Sequence, residues 1–353
     1  MKQKLLVALL LTVVFGYLAT VSGVLPPAGA TDDALLIQTT PCATPSLSPA
    51  ASTTPLATPD STPSPTAEPA PPPTLGTTPL PTAEPSPPPS TSPPPSPTAT
   101  SDSVQVVTTT ITAAHDIDND TSYTVDEDAL LAEDLDLSLP AEGPQILIIH
   151  THTTEAYTMD DDSAYVQTDP YRTTDIQHSV VRVGEELKTA LEAYGLHVLH
   201  DTNFYDYPSY NGSYARSGAA VEAYLMKYPG IAMVIDLHRD ALGTQDTIYK
   251  TITDVQGTNA AQLMFVMGTD ENLYHPDWRN NLKLALQLQN AVNTLYPNLM
   301  RSIDLSSYRY NEQLTKGSMI LEVGTSGNTL QEAIKAVRLF AKAAGPVLAG
   351  LVK

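Results

Sequence analysis

Apolar positions fall into three regimes along the chain. Leu5 to Val24 is a nearly unbroken apolar run, interrupted only by Gly, Ser, Thr and Tyr. Its length, about 20 residues, is enough to span a bilayer core. Residues 31–103 lack the apolar groups of a core. From Val104 to Ile111 a weak alternation reads as a strand, and Asp126 to Leu135 reads as a short acidic helix. Strong patterning begins near Gln145. Ile146-Leu147-Ile148-Ile149 is a continuous run of strand length, the pattern of a strand buried on both faces. Leu196–Leu199, Ile231–Leu237, Leu263–Gly268 and Met319–Val323 read as further strands. Asp175–Ala193 carries Val180, Val183, Leu187 and Leu191 on one helical stripe and is stopped by Gly195. Ser213–Tyr228, Arg279–Tyr296 and Leu330–Ala344 also read as helices. Strands alternating with helices imply an α/β sandwich around a central, largely parallel sheet. In such sheets a site forms at the carboxyl ends of the strands.

The termini of this pattern set the domain plan. Lys2 and Lys4 precede the first apolar run, which keeps that end cytoplasmic and sends everything after residue 30 outside the cell membrane. A retained single-pass anchor over residues 1–30 is the reading its length favours. Ala28-Gly29-Ala30 resembles a small-residue cleavage site and leaves removal open. About two-thirds of the 31 prolines lie between Pro41 and Pro97. Residues 31–103 are therefore expected to be a disordered Pro/Ser/Thr-rich linker biased to polyproline II. At about 3.1 Å per residue, it would reach on the order of 200 Å. Residues 104–140 read as an acidic transitional segment, and residues 141–353 as the catalytic domain. The single cysteine, Cys42, permits no internal disulfide.

A formal net charge of -21 excludes nucleic acid as a partner, because phosphate binding needs a cationic surface. It also leaves membrane contact to the apolar N-terminal segment. The acidic cluster from Asp116 to Asp128 lacks the glycine and closing glutamate of a calcium loop, so it reads as a solvated collar.

Three expected strands end in chemically capable residues. The first runs into His150-Thr151-His152-Thr153-Thr154-Glu155, and the third into Asp236-Leu237-His238-Arg239-Asp240. The last contains Glu322 between Leu321 and Val323, where an unpartnered carboxylate is costly. Alternation along a strand would put His150 and His152 on one face. If the three strands are parallel neighbours, two imidazoles and two carboxylates converge on one rim. That is the donor set of a catalytic Zn2+ site, with three ligands, an open position and a carboxylate base. No compact motif such as His-Glu-x-x-His reinforces it.

Four ordered stretches carry a family resemblance: Ile-Leu-Ile-Ile-His-Thr-His-Thr-Thr-Glu-Ala-Tyr at 146–157, Asp-Tyr-Pro-Ser-Tyr-Asn-Gly-Ser-Tyr-Ala-Arg-Ser at 206–217, Asp-Leu-His-Arg-Asp-Ala at 236–241 and Leu-Glu-Val-Gly-Thr-Ser-Gly-Asn-Thr at 321–329. Together they resemble the stage II sporulation protein P family from about residue 140 to the C terminus. The resemblance implies a zinc-dependent peptidoglycan hydrolase of engulfment during sporulation, with N-acetylmuramoyl-L-alanine amidase and stem-peptide endopeptidase activity. It further implies a fold similar to zinc amidases of the amidase-3 type, an N-terminal membrane anchor, and stage II sporulation proteins D and M as partners. By the same resemblance, His238 matches a histidine ligand and Glu322 the catalytic glutamate. Glu155 is assigned as the carboxylate ligand. His150 is preferred as the other ligand, with His152 acting behind it or in its place.

In that scheme Glu322 takes a proton from the attacking water and returns it to the leaving amine. Arg239 or Arg216 would stabilise the oxyanion or hold a stem-peptide carboxylate. Tyr210 and Asn211 would line a sugar–peptide groove. The rivals are a peptidase confined to cross-links, a catalytically silent wall-binding scaffold on the same fold, and a metal-free glycosidase using Glu155 and Glu322. The last leaves His150 and His238 idle.

Overall fold

The computed structural model describes residues 104–113 and 116–353. The anchor expected over residues 1–30 and the tether expected over 31–103 lie outside the described residues. Among the described residues, no helix is long and apolar enough to cross a membrane.

The chain forms β1 (Gln105–Thr109), β2 (Ile117–Asn119), α1 (Glu127–Ala132), β3 (Ile146–Ile149), α2 (Val180–Glu192), β4 (Val198–His200) and α3 (Ser213–Lys227). It continues with β5 (Met233–Asp240), β6 (Thr247–Val255), β7 (Thr258–Ala261), β8 (Leu263–Gly268), α4 (Trp278–Leu295), β9 (Ile303–Ser306), β10 (Met319–Thr325) and α5 (Leu330–Ala349). The main sheet has the order β2-β9-β8-β10-β5-β3-β4, and β1-β6-β7 form a small second sheet.

The α/β class expected from the alternation holds, but the main sheet is mixed. β10, β5, β3 and β4 run parallel, as do β8, β9 and β2, and the two blocks meet antiparallel at β8 and β10. Connectivity explains this. Parallel neighbours need a crossover, usually helical, whereas β5 reaches β8 through the antiparallel β6–β7 pair. The segment read as transitional is woven into both sheets, since β1 pairs with β6 and β2 with β9.

Alternation assigns the two faces of the sheet. Ile146, Ile148, Ile235, Leu237, Leu321 and Phe265 enter the larger core with Leu187 of α2, Leu282 and Leu286 of α4, and Phe340 of α5. Leu147, Ile149 and Val234 face the other way, against Val221 of α3. Partners across neighbouring strands share a face. Ile149 pairs with Asp236, Asp236 with Ile320, and His238 with Glu322, so Asp236, His238 and Glu322 all lie on this second, less covered face.

Helices α2 and α5 start at side chains that cap them. Ser179 accepts from the Val181 N–H, and Thr329 forms a capping box with Glu332. The Gly-Thr-Ser-Gly-Asn-Thr stretch is thus a structural turn. Asn328 Oδ1 accepts from the Thr325 N–H at 2.9 Å, and its Nδ2 donates to Thr251 O of β6 at 3.0 Å. This pins the chain directly after Glu322.

Candidate functional site

β3 stops at Ile149, and the chain then turns, with the Glu155 N–H donating to His152 O at 3.0 Å. The threonines of the His-Thr-His-Thr-Thr-Glu stretch fix that turn. Thr151 donates its backbone N–H to Asp236 Oδ1 (2.8 Å) and its hydroxyl to Asp236 Oδ2 (2.6 Å). The Thr153 hydroxyl bonds to His150 O, and the Thr154 hydroxyl to Asp206 Oδ2 at 2.6 Å. Each of these threonine hydroxyls has a partner, which holds the loop in place.

Because strand alternation ends before it, the turn separates the two histidines that were expected to share a face. His150 is buried away from the cluster. Its Nδ1 lies 2.8 Å from Leu237 O, and its Nε2 2.8 Å from His200 Nε2, which is backed by Glu185. Burial holds the His150 imidazole neutral, with its pKa pushed down to about 3. The reading of His150 as a metal ligand does not fit this placement, since both its nitrogens are already partnered. Gly184 of α2 closes over the pair. A Cβ there would stand 2.7 Å from both His150 Nε2 and His200 Nε2. Gly184→Ala is therefore expected to destabilise the protein by about 1–3 kcal/mol of overpacking, outweighing the roughly 0.5–1 kcal/mol gained in helix propensity. A lowered Tm with unchanged activity per folded molecule checks it.

His152 turns toward the second face instead. Its ring packs edge-on to His238 at a centroid distance of 5.2 Å and stacks on Tyr210 at 4.5 Å, with its Nε2 3.1 Å from the Tyr210 hydroxyl. Its Nδ1 is buried with no hydrogen-bond partner. His238 Nδ1 lies 3.3 Å from Glu155 Oε2. Its Nε2 is 2.9 Å from Asp236 Oδ1 but off the angle of a hydrogen bond. Glu322 sits beside His238 in register, and its Oε2 is buried without a partner. His152, Glu155, His238 and Glu322 therefore come together, and His150 does not.

Electrostatics differ sharply within this cluster. Burial works against the Glu155 carboxylate, but Arg239, His238 and Arg172 together hold its pKa well below the usual range. Burial also opposes charge on His238, yet Asp236 and Glu155 raise its pKa. For Glu322, burial outweighs the opposing pull of His238 and Arg301 and pushes the carboxyl up to about 8, within reach of neutral pH, where a group can both take and give a proton.

The expected cations are committed elsewhere. Arg239 is buried, its Nε donating to Ala156 O (3.0 Å) and its Nη2 to Tyr171 O (3.1 Å), with Nη1 3.5 Å from Glu155 Oε1. It clamps the loop and orients Glu155 from a buried position, with these contacts all to the protein, which points to a positioning role rather than the catalytic role read for it. Arg216 donates to the carbonyls of Tyr205, Asn211 and Ser209, shaping the loop that carries Tyr210 and Asn211. Tyr210 reaches the cluster, while Asn211 is exposed and takes part through its carbonyl. Arg172 was not singled out from the sequence. It lies 5.0 Å over the Tyr210 ring, bonds Asp206 Oδ2 at 2.7 Å, and sits 3.4 Å from Glu155 Oε1. Asp236, which the sequence shows only as part of the strand end, fixes Thr151 and ion-pairs with His238.

Among the described residues, no group of three or more His, Cys, Asp or Glu side chains is gathered tightly enough to hold a metal ion. The ion pair of His238 and Glu155 has a separation that an ion pair and a pair of metal ligands share. Two ligands about 2.0–2.2 Å from a tetrahedral ion stand roughly 3.4 Å apart, and His238 Nδ1 and Glu155 Oε2 are 3.3 Å apart. The unpartnered Nδ1 of His152 is the remaining imidazole donor.

Fold and site together define an α/β protein with a buried imidazole–carboxylate cluster at the carboxyl ends of parallel strands. Residues 87–345 match the stage II sporulation protein P family, and the chain belongs to it. Stage II sporulation protein P of Bacillus subtilis (strain 168) is 28% identical over 204 residues, covering 54% of this chain and 48% of that protein. The chain thus aligns with about half the length of that relative. Among solved structures, the catalytic domain of the CD27L endolysin targeting Clostridia difficile covers 59% of this chain and 98% of its own length, at 13% identity and a TM-score of 0.35. The apo form of the N-acetylmuramyl-L-alanine amidase Ami1 from Mycobacterium abscessus covers 58% of this chain and 98% of its own, at 12% identity and a TM-score of 0.33.

Proposed function

We propose that this protein is a peptidoglycan hydrolase of sporulation, cleaving the N-acetylmuramoyl-L-alanine amide bond, with stem-peptide endopeptidase activity besides. One observation carries the reading: His152, Glu155, His238 and Glu322 meet on one face of the sheet, with the Nδ1 of His152 and the Oε2 of Glu322 buried and unpartnered. Buried polar atoms without partners are costly, and a site built to receive a metal and a scissile amide accounts for them. The donor types suit Zn2+, which His152, His238 and Glu155 would hold. When bound, zinc supplies Lewis acidity to the amide carbonyl and acidity to water.

The chain's own residues supply the rest. Asp236 and Thr151 fix the backbone that carries His152. Arg239 and Arg172 orient Glu155 and keep it ionised. Glu322, whose pKa burial raises, moves the proton from water to the leaving amine. Membrane attachment through residues 1–30, an extracytoplasmic position, a role in engulfment, and stage II sporulation proteins D and M as partners belong to the same proposal, and follow from the family and the N-terminal apolar run.

Digestion of purified wall sacculi by the full chain, with and without chelator, tests it by mass spectrometry. Intact free stem peptides indicate amidase, and shortened peptides still on sugar indicate endopeptidase. Both are expected to vanish with chelator. Chelator-insensitive products would remove the metal from the reading. A second reading, a silent wall-binding scaffold, is favoured by the ion pairing of His238 with Asp236 and Glu155. Complete lack of products with metal supplied would establish it.

A further inference from the structure

Five aromatic rings run in unbroken succession away from the candidate site. Tyr210 stacks on His152 at 4.5 Å, His152 meets Tyr214 at 5.6 Å, Tyr214 meets Tyr310 at 5.6 Å, and Tyr310 meets Tyr308 at 6.3 Å. The far end opens to solvent, where Tyr308 is 57% and Tyr274 77% exposed. Arg309 joins their two loops, its Nη1 donating to Tyr274 O at 2.6 Å. The segment bearing the outer tyrosines is rigidly seated. Buried Glu312 accepts from the Gly268 N–H at 2.5 Å and from the Ile320 N–H at 3.2 Å, tying it to β8 and β10. Tyr308 and Tyr274, at the outer end, are displayed to solvent rather than packed.

We propose that the Tyr214–Tyr310–Tyr308 row is a subsite for the uncharged sugar face of the wall's glycan strand. This rests on the hydrolase reading above and places the glycan on one side of the cluster. Tyrosine offers a flat apolar ring with a hydroxyl at its rim, matching a pyranose, which has C–H faces and hydroxyl edges. The row itself carries no charge: its side chains offer ring faces and hydroxyls, which match the C–H faces and hydroxyls of a sugar rather than the ionised groups of a stem peptide.

The test uses full-length protein carrying Glu322→Gln, so that binding is read without cleavage, and glycan strands stripped of their stem peptides as the probe. Adding Tyr308→Ala is expected to weaken binding roughly threefold to tenfold. Tyr308 is exposed, so the fold should persist, as matched thermal melting would verify. Leu295→Ala, at an exposed position on α4, should bind as the parent does. Unchanged glycan binding by the Tyr308→Ala chain overturns the proposal, as does loss of binding to free stem peptide alone. The two readings separate cleanly. If wild-type protein digests sacculi but Tyr308→Ala binds glycan normally, only the subsite fails. If nothing is digested but the tyrosine dependence remains, only the hydrolase reading fails.

Discussion

Glu322→Gln is expected to cut wall hydrolysis by about 10²–10⁴-fold, the range of a lost general acid–base, while leaving the fold at least as stable as before. The second half of this expectation is unusual for a buried site. Replacing a partnered buried group normally costs stability, because the partner is stranded. Glu322 Oε2 has no partner to strand, and its carboxyl is pushed up to about 8 by burial. A folded-state pKa above the unfolded value means that stability falls as pH rises from about 4.5 toward 8. The amide abolishes that loss. Rates of product release from sacculi and a Tm series from pH 5 to 8 measure both halves. An active Glu322→Gln protein would remove this residue from the chemistry.

The paired substitutions His152→Ala and His150→Ala should separate function from fold. His152 has an unpartnered buried Nδ1 and aromatic neighbours. Its loss is expected to lower hydrolysis per folded molecule about 10³-fold, equivalent to several kcal/mol of transition-state stabilisation, with some loss of Tm from the vacated contacts to Tyr210 and His238. His150 bridges Leu237 O and His200 Nε2 in the core. Its truncation leaves both unsatisfied and opens a cavity, costing about 2–4 kcal/mol. That corresponds to a Tm lower by roughly 5–15 °C, while the molecules still folded keep their activity. The reverse pattern would return the ligand role to His150.

Much of the architecture was legible because strong periodicity leaves few alternatives. Ile146–Ile149 and Leu263–Gly268 form strands with the expected limits, and the helices carrying Leu187 and Leu282 fall where their stripes lie. Thr247–Val255 escaped because its apolar positions alternate with threonine, lysine and aspartate. Ile117–Asn119 and Ile303–Ser306 are too short for any period to show. Glu322 was legible for the opposite reason, as a lone charge in an apolar run. The choice between His150 and His152 was not, because alternation applies only while the strand continues, and it ends at Ile149. Nor could the sequence show that Arg239 is already bound to two carbonyls, since charge is visible in a sequence and commitment to partners is not.

Among the described residues, β10 lies between β5 and β8, joins the sheet's two parallel blocks and follows the other strands in sequence. During synthesis, β5 and β8 each present a bare edge until residues 319–325 emerge, a state prone to edge-to-edge association. The same insertion delivers Glu322. A chain shortened before residue 319 therefore has neither a closed sheet nor Glu322, so closure of the sheet and completion of the proposed site are one event.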